Sequence, residues 1–352
     1  MRSSILMSYG ISEQCLSEPL TNGLINRTWK ITDDEDQFIL QQINTQVFKN
    51  PQDVAANIRE INGYLRLHHP EYLFVSPLIN ADGQDIPYDK EEGYFRLFPF
   101  IKGSHSINVV SSAEEAYQAA LQFGMFGKLL SGFQVTKLRI TIPHFHDLVL
   151  RYRQFEESLV KGNKKRIRQA ASLIRDLKGR TMIVEQYENL KKDINVKERV
   201  THHDTKISNV LFDNYGKGMC IIDLDTIMPG YFISDFGDMM RTYLSPANEE
   251  ESDFTKIEVR DDFFRGIVHG YNEAMHSELT DAEKKLITYS GSFLTYMQAL
   301  RFLTDYFNND IYYGAKSEEH NLIRADNQVH LLKKMEAKKS LLDTIVSEEM
   351  NQ

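Results

Sequence analysis

Residues 201–241 constrain the fold of this chain more than any other stretch of its sequence. They contain Asp204, Asn209, Asp223 and Asp225, whose side chains offer oxygen ligands, beside two short apolar runs. The segment between the runs contains asparagine and glycine, which favour turns. Two apolar runs joined by such a turn predict a β-hairpin. The polar side chains then gather at its open end.

The register of this hairpin follows from the centre of its loop. If the loop is centred on Gly216, residues equally distant from it face each other, which pairs Asn209 with Asp223. Directly opposed residues have Cβ atoms about 5 Å apart. Asp204 lies on the loop that enters the first strand. The sequence therefore predicts that one acid, one amide and a second acid converge.

This grouping suits phosphoryl transfer. Mg²⁺ prefers oxygen ligands and commonly takes one or two carboxylates, which leaves its other positions to water and substrate phosphates. Asn209 and Asp223 could supply that part of the shell, and Asp204 could accept the proton of a hydroxyl. Protein kinases use the same parts, and His202, Asp204 and Asn209 follow their spacing. The alternative is a hairpin with polar ends, because Asp and Asn are common in turns. The complete set favours a site that uses ATP and Mg²⁺.

Net charge and cysteine content limit the kinds of partner and the cellular compartment that we expect for this chain. The chain has 352 residues and a formal net charge of −9, which argues against nucleic acid or an anionic membrane as the main partner. Two cysteines provide no disulfide framework and fit a reducing compartment. No apolar run approaches the roughly 20 residues of a membrane span, and the first residues do not resemble a signal peptide. We expect a cytoplasmic protein that is a monomer or a weak dimer.

The N-terminal part of the chain has the pattern of a small sheet with one helix. Apolar patterning predicts strands within residues 16–43, 74–79 and 94–101. Asn50 and Pro51 are suited to be the N-cap and first residue of a helix. The rest of the chain has mainly helical patterns. We therefore predict an α+β protein with a two-lobed, protein-kinase-like fold, divided into a small lobe at residues 1–102 and a larger lobe at residues 103–352.

ATP is expected between these lobes. Gly23 and Asn26 lie in the first predicted turn, Gln41 occupies the strand position where kinases carry a lysine, and Pro99 and Ile101 lie in the predicted hinge. We interpret these residues as nucleotide-binding. The alternatives are an ordinary hairpin and a plain edge strand, because the turn lacks the GxGxxG pattern. A P-loop is excluded, since no GxxxxGK[ST] motif occurs.

Beyond the hinge, helical periodicity dominates. It predicts helices at residues 112–130, 145–159, 164–177, 182–192 and 235–244, and from residue 280 onward. Asp235 is predicted to be the N-cap of its helix. Asp238 and Arg241, on the same helix, are predicted to face the cleft, because the helix begins shortly after the metal ligands.

Histidines suggest a second chemistry. His144 and His146, together with His202 and His203, look like fragments of a metal hydrolase site. A zinc site needs further ligands at suitable spacing, and none is evident. We expect His202 instead to brace, from within, the loop that carries Asp204.

Several longer motifs resemble one family. The chain resembles the aminoglycoside phosphotransferase and choline kinase-like family, and within it the bacterial N-acetylhexosamine 1-kinases. The matching motifs lie at residues 22–26, 39–44, 143–147, 201–206, 221–230, 235–238, 301–306, 310–312 and 319–322. The resemblance extends from about residue 10 to residue 335, and the LDTIMPG segment at residues 224–230 is more specific than the HxD motif.

The resemblance implies ATP-dependent phosphorylation of the anomeric hydroxyl of N-acetylglucosamine or N-acetylgalactosamine. It makes Asp204 the catalytic base and Asn209 and Asp223 the Mg²⁺ ligands. It also places Asp238, Arg301 and Tyr312 in the sugar-binding part of the larger lobe, to which we add Arg241 as a cleft residue. Glutamine replaces the kinase lysine in these relatives too.

Departures from the relatives bear on sugar preference. His203 stands where relatives usually carry asparagine, and Leu24 and Thr242 stand where they can carry histidine and phenylalanine.

Three rival functions remain. A protein kinase is disfavoured because no APE-like segment follows the DFG-like residues 235–237. A kinase for an amino alcohol or an aminoglycoside-like alcohol would bind a cation, for which aromatic rings are suited and Arg301 is not. A nucleotide-binding pseudokinase is disfavoured by the presence of Asp204, Asn209 and Asp223 together.

Overall fold

An antiparallel sheet is the main element of the N-terminal part of the chain. The computed structural model describes residues 2–20 and 25–350, and this sheet has five strands in the order β1-β2-β3-β5-β4. The strands are β1 (Leu16–Leu20), β2 (Arg27–Asp33), β3 (Asp36–Gln42), β4 (Tyr88–Asp89) and β5 (Gly93–Pro99). Gly23 and Leu24, in the turn predicted from the sequence, lie outside the described residues.

One predicted strand is wrong. Residues 74–79 form no strand, although the N–H of Leu78 donates a hydrogen bond to the carbonyl of Leu97 at 2.7 Å. Pro77 has no N–H to donate, so it interrupts any ladder that this segment could form. The short strand β4 takes the remaining place in the sheet.

Two apolar clusters support the fold. The smaller lies against the sheet and includes Ile5 and Leu6 of helix α1 (Arg2–Ser8), which the sequence analysis did not predict. The larger fills the helical part of the chain and also includes helix α2 (Pro51–His68). Because α2 follows the first three strands in sequence but packs into the larger cluster, it ties the two parts together.

The prediction of α2 is confirmed. Its apolar stripe is buried along its length, at Val54, Ile58, Ile61 and Leu65. Asn50 is the N-cap residue as predicted. Its side-chain amide, however, bonds to the carboxylate of Asp53 at 2.7 Å and not to the backbone.

Helices dominate the rest of the chain. They are α3 (Ala113–Leu129), α4 (Leu148–Lys161), α5 (Lys164–Gln169), α6 (Ala171–Lys178), α7 (Met182–Leu190), α8 (Phe232–Tyr243), α9 (Asp261–Met275), α10 (Asp281–Lys284), α11 (Ile287–Phe307), α12 (His320–Ala337) and α13 (Lys339–Met350). Short strands accompany them: β6 (His105–Ser106), β7 (Glu198–Thr201), β8 (Val210–Phe212), β9 (Gly218–Ile221) and β10 (Met228–Tyr231). The helix predicted at residues 164–177 is divided into α5 and α6. The helix predicted at residues 145–159 begins only at Leu148, after the N-cap Asp147.

Helix α8 approaches α11 closely at a glycine. A Cβ atom on Gly237 would lie 2.2 Å from the carbonyl oxygen of Ser290 on α11, a distance that no side chain tolerates. The absence of a side chain at Gly237 therefore allows α8 to lie against α11. This contact fixes the helix that carries Asp235 and Asp238.

The order of elements confirms the predicted α+β class, with a sheet in the N-terminal part and helices in the C-terminal part. The division of the chain at residue 103 stays a prediction. Within residues 2–20 and 25–350, no helix combines the length and the apolar character that crossing a membrane requires.

Candidate active site

A large cavity lies between the sheet and the helical part. Its volume is about 1780 Å³, whereas a pocket for one drug-sized ligand has roughly 300–1,000 Å³. The sheet side contributes Ile39 and Pro99, and the helical side contributes Asp204 and Asp223. The cavity is therefore large enough for two ligands at once.

His202 supports the loop that carries Asp204. Its side chain is fully buried, and its Nε2 lies 3.0 Å from the carbonyl oxygen of Ile222. Its Nδ1 accepts the N–H of Asp204 at 3.4 Å. Both contacts are satisfied by a neutral ring whose proton is on Nε2. The predicted bracing role of His202 is confirmed.

Two carboxylates of α8 hold the same loop. Asp235 accepts the backbone N–H groups of His202 and His203 at 2.9 and 2.7 Å, and Asp238 accepts that of Thr205 at 2.9 Å. Burial raises the pKa of Asp235 to about 7. The prediction that Asp235 is an N-cap is wrong, because β10 runs directly into a helix that begins at residue 232. Its carboxylate serves the loop and not its own helix.

Asp204 faces a lysine that the sequence analysis overlooked. The Nζ of Lys206 lies 2.9 Å from Oδ2 of Asp204, and the amide of Asn209 donates to the Asp204 carbonyl at 2.8 Å. Burial opposes ionisation of Asp204, but the Lys206 ammonium outweighs it and lowers the pKa of that carboxyl. Asp204 is therefore ionised at neutral pH. In the sequence, the position of Asp204 two residues before a lysine was the available signal for this ion pair.

The hairpin exists, but its predicted register is wrong by one residue. Val210 pairs with Ile221, and the N–H of Ile222 donates to the carbonyl of Asn209 at 2.8 Å. A bulge beside Leu211 shifts the pairing, which a symmetric count from the loop cannot anticipate. Asp223 therefore follows the partner of Asn209 instead of facing it.

Asp223 nevertheless lines the same cavity as Asn209 and Asp204. It has a left-handed φ of 62°, at the start of the 3₁₀ turn Leu224–Thr226. Burial, and then the neighbouring Asp225, raise its pKa to about 6. This half-buried carboxylate would be stabilised by a cation.

Asp225 joins the sheet to this turn. One of its oxygens lies against the guanidinium of Arg96 on β5, and the other accepts the amide of Asn26 at 2.7 Å. Arg96 also donates to the amide oxygen of Gln41, at 2.8 and 3.0 Å. Sequence reasoning missed Arg96, although an arginine within an apolar strand was a usable signal.

The predicted nucleotide residues lie along the sheet side of the cavity. Asn26, Gln41, Pro99 and Ile101 line it. Gly23 lies outside the described residues, so it has no position here. Both ends of the Gln41 amide are engaged within the protein, because its nitrogen donates to Thr28 at 3.3 Å.

Arg301, on α11, lines the cavity from its helical side. Its guanidinium lies 5.4–5.8 Å from the ring centres of Phe145, Tyr312 and Tyr313. It donates to the amide oxygen of Gln298 at 3.1 Å and lies 3.4 Å from the Tyr312 hydroxyl. Within the described residues, no carboxylate forms an ion pair with it.

The carboxylates at this end are already engaged. Asp238 and Glu249 both pair with Arg241, each at 2.9 Å, and Glu249 also contacts Arg324. Asp305 accepts the backbone N–H groups of residues 312 and 313, at 2.8 and 2.9 Å. The predicted residues Asp238, Arg241, Arg301 and Tyr312 thus share one wall of the cavity.

The histidines form no metal site. His146 and His203 pack edge to face, 5.1 Å between ring centres, and His144 lies 3.2 Å from Asp147. No group of three or more His, Cys, Asp or Glu side chains is arranged to hold a metal in the described part of the chain. A divalent ion at Asp223 would need substrate oxygens to complete its shell.

Thr242, a position where relatives can differ, is not among the residues that line the cavity. Its hydroxyl donates to the Asp238 carbonyl at 2.7 Å.

Comparisons with known proteins agree with this architecture. A family model described as "Phosphotransferase enzyme family" matches residues 17–276. The chain is similar to an amicoumacin kinase solved with AMP-PNP and Ca²⁺, with 14% identity, 94% and 92% of the two chains covered and a TM-score of 0.64. It is similar to a microcompartment-associated aminopropanol kinase, with 16% identity, 97% of each chain covered and a TM-score of 0.63. A choline kinase from Cryptosporidium parvum gives 14% identity, 97% and 96% covered and a TM-score of 0.52. At these identities the likeness shows the fold, and the predicted kinase-like fold is confirmed.

The burial of His203 predicts a pH dependence of stability. Burial lowers the pKa of His203 to about 4, below the ordinary value near 6.5. Between these values the unfolded chain binds a proton that the folded chain does not, so the free energy of unfolding falls as pH drops from 6.5 to 4. The contribution is about 3 kcal/mol. His203→Asn should flatten urea-unfolding stability across this window by about that amount.

The control for this measurement is His276→Asn, at an exposed position just after α9. It should leave the slope of stability against pH unchanged. An equal slope in wild type and His203→Asn would contradict the assignment to His203.

Proposed function

The chain belongs to the phosphotransferase enzyme family, and we propose that it transfers the γ-phosphoryl group of ATP to the anomeric hydroxyl of an N-acetylhexosamine. The single observation that carries the acceptor class is the guanidinium of Arg301, which lies among aromatic rings and forms no ion pair within the described residues. It lies in the cavity that also contains Asp204. The proposal assigns the nucleotide to the sheet side and the sugar to the Arg301 side.

The donor end suits a nucleotide with a divalent ion. Asn209 and Asp223 offer an amide oxygen and a carboxylate, which are hard ligands of the kind that Mg²⁺ takes. The raised pKa of the half-buried Asp223 fits a position that a cation would complete. When bound, Mg²⁺ supplies charge neutralisation for the phosphate oxygens. The similar amicoumacin kinase was solved with AMP-PNP and Ca²⁺, which supports a nucleotide and a divalent ion here.

Asp204 is proposed as the base. It is ionised because Lys206 lies 2.9 Å from it, so it can orient the attacking hydroxyl and accept its proton. The hydrogen bonds that the side chains of His202, Asp235 and Asp238 accept from backbone N–H groups fix the loop, which limits the reorganisation needed at the moment of transfer. Positioning of this kind is the main source of catalysis in phosphoryl transfer.

The acceptor end favours a neutral, oxygen-rich molecule. Several similar structures are kinases of amines, such as aminopropanol and choline. An ammonium group would need a free carboxylate or an open aromatic cage. Here the carboxylates Asp238 and Glu249 are paired with Arg241, and Arg301 itself lies among the rings. A guanidinium offers a rigid fork of donors to hydroxyl and amide oxygens.

An amino alcohol kinase is the second candidate. The aromatic rings of Phe145, Tyr312 and Tyr313 and the similarity to amine kinases favour it. It requires Arg301 to move out of the rings, because two cations would otherwise repel each other at short range. The same acceptor experiment separates the two candidates.

An acceptor panel tests the proposal directly. ADP release should be fast with N-acetylglucosamine or N-acetylgalactosamine, and slow with their methyl glycosides, with ethanolamine, with choline and without acceptor. The methyl glycosides lack the free anomeric hydroxyl but keep the 6-hydroxyl. ³¹P and ¹³C NMR should show the ester on C1. Steady turnover of a methyl glycoside, or a 6-phosphate in the spectrum, would falsify the anomeric assignment.

Removal of the base should stop transfer without stopping binding. Asp204→Asn is expected to lose roughly 10²–10⁴-fold in turnover, the usual range for a general base, with AMP-PNP affinity measured by calorimetry nearly unchanged. Asp82→Asn, at an exposed turn, is the matched control and should keep full turnover. Turnover of Asp204→Asn near that of wild type would remove this residue from the mechanism.

Arg301 should govern acceptor binding. Arg301→Met is expected to raise the KM for the N-acetylhexosamine by at least about tenfold, the loss of one charge-assisted interaction, and to leave the KM for ATP unchanged. Arg301→Lys should recover part of the loss. Arg175→Met, on an exposed face of α6, is the control. If Arg301→Met changes both KM values equally, Arg301 does not define the acceptor end.

A further inference from the structure

A row of polar side chains crosses the small sheet. Thr28 on β2 lies opposite Gln41 on β3, and Gln41 lies opposite Arg96 on β5. Hydrogen bonds join each pair through the Gln41 amide. Neighbouring residues of β5, Phe95 and Leu97, point the other way into the smaller apolar cluster. Because side chains alternate between the two faces of a strand, the row lies on the opposite face of the sheet from Phe95 and Leu97. On that face, Gln41 lines the cavity.

The row ends on the helical part of the chain. Arg96 is only 2% exposed and forms an ion pair with Asp225, itself 2% exposed. Asn26 donates to the other oxygen of Asp225 at 2.7 Å. A second tie lies next to it, because Asn57 on α2 donates to the carbonyl of Ile227 at 2.8 Å. The turn between Asp223 and Ile227 is thus bonded to the N-terminal part at two points.

The same turn is bonded on its other side to the loop of Asp204. The Thr226 hydroxyl donates to the carbonyl of His202 at 2.6 Å, and the His203 ring contacts the Thr226 carbonyl at 3.1 Å. The Asp225 side chain, in contrast, bonds only to groups of the N-terminal part among the described residues. The position of Asp223, with its left-handed backbone, is therefore set from both sides.

We propose that Arg96 is a positioning residue through which the small sheet sets the binding of the metal–nucleotide complex at Asp223. This inference rests on the proposed nucleotide and metal site. Arg96 acts through Asp225. Their ion pair keeps the Asp225 carboxylate bound to the sheet, and this holds the turn that begins at Asp223 in place. A buried ion pair is not needed for stability as such, since apolar replacements are often as stable. Its use here is to specify one geometry between the two parts.

The experiment compares nucleotide binding with and without the ion. AMP-PNP is titrated calorimetrically into full-length protein in Mg²⁺ and in EDTA, with no acceptor present. Arg96→Met/Asp225→Asn removes both charges without leaving either unpaired. We expect its Kd in Mg²⁺ to rise at least about tenfold and its Kd in EDTA to change by less than about twofold. Arg96→Lys keeps the cation opposite Asp225 and should recover at least half of the loss on a logarithmic scale.

The matched control is Arg199→Met/Glu283→Gln. In that pair, 2.7 Å apart, Glu283 is buried and Arg199 is half-buried, and neither residue lines the cavity. It should change neither Kd. A double variant at Arg96 and Asp225 that binds like wild type, or that loses affinity equally in Mg²⁺ and EDTA, would overturn the positioning role, and so would a lack of recovery in Arg96→Lys. Absence of Mg²⁺-dependent binding in wild type would overturn the proposed function as well.

A milder variant covers the case in which the double variant does not fold. Gln41→Leu leaves both charges in place but removes the amide that holds Arg96 on its other side. Because Gln41 itself lines the cavity, the comparison uses the ratio of the Kd in Mg²⁺ to the Kd in EDTA, which we expect to rise about threefold relative to wild type. An equal ratio for Gln41→Leu and wild type would overturn the proposal.

Discussion

The loop that carries Asp204 depends on the buried carboxylate of Asp235. It accepts the backbone N–H groups of His202 and His203, and buried N–H groups without such partners would destabilise the fold. The loop can hold Asp204 at the cavity only while α8 lies beneath it. Gly237 makes that placement possible, because any side chain there would collide with α11. One close helix contact therefore underlies the geometry of the site.

Charged side chains that line the cavity differ in whether they form ion pairs. Lys206 keeps Asp204 ionised, and the half-buried Asp223 forms no ion pair within the described residues. Asp238 and Glu249, by contrast, are neutralised by arginines, and Arg301, which lines the same cavity, forms no ion pair within the described residues. The proposed metal position and the proposed acceptor position rest on this difference in charge pairing.

Local patterns predicted much of this site and some of the fold. The helix after Pro51, the hairpin, and the sharing of one cavity by Asp204, Asn209 and Asp223 were all readable. The strand at residues 74–79 and the exact hairpin register were not. Pairing depends on which partner strand competes for hydrogen bonds and on bulges, and neither leaves a reliable local pattern.

The sequence by itself determined the chemistry that is available: two acids, an amide and a lysine within a short stretch, and the motifs of a phosphotransferase. Tertiary structure alone decided how those groups are held. Arg96 and Asp225 are far apart in the chain and meet only because β5 faces the turn after Asp223. Asp235 could have capped its own helix, but it serves a loop folded against it. Packing in three dimensions decides which charged groups pair and which groups form hydrogen bonds. The spacing of residues in the sequence does not determine that packing.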